Sequence, residues 1–147
     1  MTDIIDKVVS FNQDVLNIEQ RTPAPLAFEE HNITIKCLEE EIQEYVEAYH
    51  ACMQDDNTVK KEFETPYVVD MVDALMDNIY FAIGGLYKLG LTADQIRRCM
   101  YVIHECNVAK KAGTNAKRDT GAADAVKPTD WVGPEEQLKV IISERTE

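Results

Sequence analysis

Residues 65–90 read TPYVVDMVDALMDNIYFAIGGLYKLG, and the centre of that stretch, DMVDALMDNIY at 70–80, decides the fold. Val68, Val69, Met71, Val72, Leu75, Ile79, Phe81, Ile83 and Leu86 make it apolar on nearly every side of a helix. A helix of that kind is expected to be buried within an assembly. Yet Asp70, Asp73 and Asp77 fall at i, i+3 and i+7, one stripe on one face, continued by Phe81 and Gly84. Three like charges on a largely buried helix repel one another, and each is costly to desolvate unpaired. Aspartate is also a mediocre helix former, so propensity did not place them there. The segment has no cation before Lys88. Something positive from outside it, lysines or a metal ion, is expected against the stripe.

The same question arises at CLEEEIQEYVEAY, residues 37–49. Ile35, Leu38, Ile42, Tyr45 and Tyr49 form a main apolar stripe, and Glu40, Glu41 and Glu44 lie roughly opposite it. A solvated acidic face is the plain alternative. However, that opposite face also carries Ile33, Cys37, Ala48, Ala51 and Cys52, where a face meant only for water would more usually carry Lys, Gln or Glu. Glu44 stands three residues from Glu41 and four from Glu40, so the carboxylates can converge. An ExxE pair on one helix and a DxxD pair on an antiparallel neighbour could point five or six carboxylates into one pocket. A hard, all-oxygen donor set suits Mg²⁺ or Mn²⁺, with zinc preferring His or Cys.

Working outward, helical spacing holds almost throughout. Ile4, Val8, Phe11, Val15 and Ile18 predict a first helix that stops before TPAPL, where two prolines oppose continuation. A second helix is expected from about Glu29 to Met53, ended by QDDNT. The third should start at Thr65–Pro66 and run to Leu89, with Gly90 as its stop. Thr92 with Gln95 makes a capping-box pattern for a fourth helix, Ala93 to about Lys111. Residues 112–133 read as a flexible cationic loop, and a short helix from Pro134 to about Ile142 precedes the tail. Repeats, low-complexity tracts and strand-like alternation are lacking. The expectation is an all-α fold in a single domain spanning 1–147.

At 147 residues the chain can bury roughly two-thirds of its unfolded surface, and 29% charged with 45% hydrophobic residues is globular composition. A formal net charge of −12 argues against a duplex nucleic-acid surface. It leaves small phosphate ligands open, since a bound divalent cation reverses the local sign. No apolar run approaches the ~18 residues of a membrane span, and the N-terminus lacks the pattern of a signal peptide. Cys37, Cys52, Cys99 and Cys106 show neither a CxxC pair nor zinc spacing. Reduced, packed thiols in a cytoplasmic protein are expected.

CLEEEIQEYVEAY followed by DMVDALMDNIYFAIGGLYKLG resembles the all-α nucleoside triphosphate pyrophosphohydrolases, the superfamily of MazG-like enzymes, dimeric dUTPases and phosphoribosyl-ATP pyrophosphohydrolases. Glu40, Glu41 and Glu44 fit its EExxE pattern, and Asp73, Ala74, Leu75, Asp77 and Tyr80 fit DALxDxxY. Asp70 stands where the family usually has Glu, keeping the charge with a shorter reach. HECNVAKKAG and DAVKPTDW are similar to the NxxK and lysine–proline–tryptophan segments of related proteins. The resemblance spans about residues 37–131. It implies a four-to-five-helix MazG-like bundle completed as a homodimer or homotetramer, cutting a nucleoside triphosphate to monophosphate and pyrophosphate with Mg²⁺. The family contains dUTP-, dCTP- and dGTP/GTP-type substrates. On that basis Glu41, Glu44, Asp70, Asp73 and Asp77 are candidate ligands for two or more Mg²⁺ ions, with Mn²⁺ as a substitute. Glu40 is the candidate general base beside Glu41, and Lys110, Lys127, Arg118 and Asn107 are candidate phosphate contacts.

Base recognition rests on fewer residues. Asn12 interrupts the Ile5, Val9 and Leu16 stripe, where an amide is costly unless paired. A backbone-bonded core amide and an amide reading a base edge both fit. Phe11, Ile18 and Trp131 offer apolar contact, and Asn78 is similarly ambiguous. Two rival readings remain. A di-iron carboxylate bundle would want ExxH on each of two helices, and only Glu47–His50 matches. A non-catalytic acidic helical binding protein would keep the fold without turnover.

Overall fold

The computed structural model describes residues 3–53, 65–114 and 123–144. The fold is all-α, with helices α1 (Ile4–Asp14), α2 (Phe28–Ala51), α3 (Thr65–Lys88), α4 (Ala93–Val108) and α5 (Glu135–Ser143). One small departure is a two-stranded antiparallel hairpin, β1 (Lys111–Thr114) with β2 (Ala123–Val126), pairing Lys111 with Val126 and Thr114 with Ala123. That segment was expected as loop, and its alanine- and glycine-rich strands carry no alternation from which to foresee it. None of the described helices is long and apolar enough to cross a membrane. The four cysteines are free thiols.

The chain divides into two compact units, Met1–Gly90 and Leu91–Glu147. In the first, α2 packs along α3 and α1 lies against α3. Asp3 caps α1, accepting from the Asp6 backbone N–H while the Asp6 carboxylate accepts from Asp3. The helix ends at Asp14, short of the expected Ile18. Leu16 N–H turns back to Phe11 O, and Asn17 adopts a left-handed φ of 54°, a conformation Asn tolerates better than most residues.

The segment after α1 then serves a second purpose, because the last carbonyls of α3 have no helical partners of their own. Arg21 Nε donates to Lys88 O at 2.6 Å, Ala24 N–H to Leu89 O at 3.0 Å and Gln20 Nε2 to Gly90 O at 2.9 Å. Tyr87, almost fully buried, donates its hydroxyl to Ile18 O at 3.0 Å. Gly90 ends α3 as expected. Its φ is +99°, and a Cβ there would lie 2.7 Å from Thr22 and Pro23 backbone atoms, so only glycine fits.

In the second unit Thr92 caps α4 through the expected box with Gln95. Gln95 is itself buried and donates Nε2 to Ile141 O at 2.9 Å, tying α5 to α4. Arg98 clasps Glu144, which holds that carboxyl below its ordinary range. Ile96, Cys99, Val102, Cys106 and Ile141 form the buried centre. The fourth helix stops at Val108, short of Lys111, because Lys111 enters β1.

Candidate functional site

The α2–α3 interface is built mainly from small side chains. Ala48, Cys52 and Ala74 are buried, and Leu38, Tyr45, Met71 and Asn78 are partly so. Asn78 donates Nδ2 to Leu38 O at 3.1 Å, so its amide bridges the two helices. Small residues let the helices approach closely, and that settles which way each face turns. Glu41, expected opposite the main apolar stripe, sits half-buried on the line that meets α3. Ile35, Ile42 and Tyr49 of the expected stripe are exposed, Ile42 by 57%.

The acids flank this line. Glu44, Asp70 and Asp73 line a common cleft of about 370 Å³ with Glu47, Ala48, Ala51 and Tyr67. Burial pushes the Glu41 carboxyl above its ordinary range, and the charges of Glu44, Asp77, Asp73 and Glu40 push it further. The structure therefore brings Glu40, Glu41, Glu44, Asp73 and Asp77 within electrostatic reach of one another, with Asp70 in the cleft beside Glu44 and Asp73. Glu40 is paired with Lys36 at 3.5 Å, and both side chains are largely exposed. Among the described residues no ion pair joins Glu41, Glu44, Asp70, Asp73 or Asp77 to a cation.

The donor set is all carboxylate oxygen, which fits a hard divalent cation. The side chains are not drawn into a finished coordination shell, as no group of three or more His, Cys, Asp or Glu among the described residues is arranged to hold an ion. Mutual repulsion spreads carboxylates that no cation gathers. Glu47, whose sequence context places it only in the rival ExxH motif, also lines the cleft. It continues the Glu40–Glu44 stripe at i+3, which was the available signal. His50, the other half of that motif, is exposed against the Tyr49 ring.

Along the same edge, one helical turn (about 5 Å) past Asp77 on α3 and one turn before Glu41 on α2, lies a second cavity of about 180 Å³. Phe11, Asn12, Leu16, Ile33, Thr34, Cys37, Tyr80, Phe81, Gly84 and Lys88 line it. Phe11 and Tyr80 meet edge to face, centroids 5.7 Å apart. Asn12 is only 3% exposed, and Nδ2 donates to Val8 O at 2.8 Å. Its Oδ1 is buried without a partner, as is Oγ1 of Thr34. Two glycines allow this approach. A Cβ on Gly84 would lie 3.3 Å from Asn12 Nδ2, and one on Gly85 would lie 3.3 Å from Thr34 Cγ2. Thr34 was not singled out from sequence, since its environment is set by a glycine on another helix.

In the second unit Lys127 Nζ stands 4.2 Å from the centroid of the Trp131 ring and Lys110 Nζ 5.8 Å from it. Lys110 also donates to Asn107 Oδ1 at 2.6 Å. Trp131 donates its indole N–H to Cys106 O at 2.8 Å, anchoring the group to α4. Asn107, Lys110, Lys127 and Trp131 thus form one cationic cluster, with the indole organising the lysines. Arg118 lies outside the described residues.

No protein-family model matches the chain, and no curated protein sequence matches it.

Proposed function

We propose that the protein is a Mg²⁺-dependent nucleoside triphosphate pyrophosphohydrolase, releasing pyrophosphate and a (deoxy)nucleoside monophosphate. The observation that carries this reading is Glu41, held half-buried at a helix interface among carboxylates that raise its proton affinity. A fold gains nothing from such a group unless a cation or a proton meets it.

Glu41, Glu44, Asp70 and Asp73, with Asp77 and Glu47 at the margins, would hold Mg²⁺ or Mn²⁺. Bound there, the metal would supply a water of lowered pKa and neutralise phosphate oxygens. Glu40 lies at the exposed rim, where its carboxylate can take a proton from an approaching water. The Lys36 pair does not tie it down, since exposed pairs are weak. Asn12 and Phe11 line the cavity one turn away and would hold the base. Lys110 and Lys127 are assigned the binding of anionic phosphate oxygens, held in place by Trp131 and, for Lys110, by Asn107.

The proposal includes self-association. Val68, Val69, Val72, Leu75, Met76 and Ile79 of α3 are exposed, as are Ile35, Ile42, Val46 and Tyr49 of α2. That much contiguous apolar surface calls for a partner, and a second copy forming a homodimer or homotetramer is the proposed one. Replacing Glu41 with Gln preserves shape and removes the charge. Circular dichroism should remain native while pyrophosphate release falls to background. Near-normal turnover would remove Glu41 from the metal site.

A further inference from the structure

We infer that the 180 Å³ cavity between α1, α2 and α3 is a subsite for a single-ring base, with Thr34 and Asn12 as its specificity-determining pair. This rests on the pyrophosphohydrolase reading for the identity of the ligand, but the cavity itself does not.

Two independent orphans belong to residues that line this space, Thr34 standing where it borders the apolar groove of Leu38, Ala82 and Leu86 as well. Asn12 Oδ1 is a buried acceptor with no donor, and Thr34 Oγ1 is a buried hydroxyl with neither donor nor acceptor met. Buried polar atoms are nearly always paired in native proteins, so two orphans on one cavity wall mark groups kept for a ligand. Asn12 cannot turn to exchange its ends without giving up the bond from Nδ2 to Val8 O, so the acceptor is fixed in place. The remaining wall is mostly apolar and aromatic, with Phe11, Tyr80 and Phe81 as its rings and Lys88 as its one cation. An acceptor and a hydroxyl on one cavity lined mostly by apolar and aromatic groups match a ring edge that presents an N–H next to a carbonyl or ring nitrogen.

Size narrows the class. At about 180 Å³ the cavity falls below the roughly 300–1,000 Å³ of pockets that take whole drug-sized ligands. It suits one six-membered ring with its substituents, while the sugar and phosphates extend toward the acidic edge. A pyrimidine therefore fits better than a purine. Uracil would donate N3–H to Asn12 and accept from Thr34 at a carbonyl, and cytosine would donate its amine and accept at N3.

The test separates binding from turnover. Affinities of α,β-imido deoxynucleoside triphosphates bearing each base are measured by calorimetry with Mg²⁺, beside pyrophosphate release from the natural triphosphates. Pyrimidine analogues should bind at least about tenfold tighter than purine analogues. Thr34→Val should cut that preference about tenfold, the usual scale of one hydrogen bond. Thr34→Ser should restore it. Thr34→Val should also melt no lower than the parent, because it removes a buried orphan and no hydrogen bond. A purely structural role would lower the melting point. Selective pyrimidine binding without any hydrolysis would keep the subsite and sink the hydrolase reading. Hydrolysis with equal or purine-biased specificity would overturn the subsite and leave the hydrolase reading standing.

Discussion

The two edges of the α2–α3 hairpin differ in a way that neither helix reveals alone. Along one edge run Glu40, Glu44 and Glu47 with Asp70, Asp73 and Asp77. The helix turn carries Ile35, Ile42 and Tyr49, with Val68, Val72, Leu75 and Ile79, to the other. Farther along that second edge Leu38, Ala82 and Leu86 continue it into an apolar groove. Between the edges the helices meet through small residues, and Glu41 is caught in that line. Among the described residues the acids of the first edge are met by Lys36 alone, at Glu40, and the second edge lacks an apolar cover. Each deficit has its own remedy, metal plus phosphate for the first and a second copy for the second, so the two edges can be broken separately.

The largest effect is expected on the acidic edge. Asp73→Asn should reduce pyrophosphate release by at least about 100-fold, given that even outer-shell partners of metal sites cost 10–100-fold. Its circular dichroism spectrum should be unchanged, because Asp73 is exposed. A mild effect there would shift the metal toward Asp70 and Glu47.

On the opposite edge, Leu75→Glu should weaken self-association without emptying the acidic cleft. Burying a leucine contributes about 1.5–3 kcal/mol, and a two-fold interface counts it twice. The dimer dissociation constant should rise by at least about 100-fold, visible by light scattering across a dilution series. A parent protein that is monomeric at every concentration would break the comparison outright.

The third effect is on stability. Since the Glu41 carboxyl is held above its ordinary range, the folded chain binds that proton more tightly than the unfolded chain does. Metal-free stability from this group is therefore greatest below the ordinary carboxylate pKa and declines as pH rises through the raised value. Glu41→Gln in EDTA should flatten that decline and raise the midpoint at neutral pH. With Mg²⁺ the parent should gain and the variant should not. The smallest effect belongs to Lys36→Ala, which removes a pair exposed by 75% and 57%. Melting should not change measurably, and a large loss would show the pair to matter more than its exposure allows.

Much of this is legible in the sequence, for physical reasons. Aspartate at i, i+3 and i+7 in an otherwise apolar helix is expensive enough to demand an explanation, so Asp70, Asp73 and Asp77 announced the acidic edge. Gly90 and the Thr92–Gln95 box were legible because a helix stop and a capping box have specific backbone requirements. The rotation of α2 was not. Hydropathy does not distinguish a face buried within one chain from a face left for another chain, and Ile35–Ile42–Tyr49 is the more hydrophobic of the two. The inner line relies on Thr34, Ala48 and Cys52, whose fit depends on Ala74 and Gly85 across the interface. Thr34 was invisible for the same reason.

The most direct test is pyrophosphate release from a panel of ribo- and deoxynucleoside triphosphates, with Mg²⁺, with Mn²⁺ and with EDTA. A pyrophosphohydrolase built on the acidic edge should release pyrophosphate with either metal, favour pyrimidine bases and fall silent in EDTA. If no triphosphate yields pyrophosphate while Mg²⁺ still raises the melting point, the cleft binds metal without this chemistry, and the central claim is contradicted.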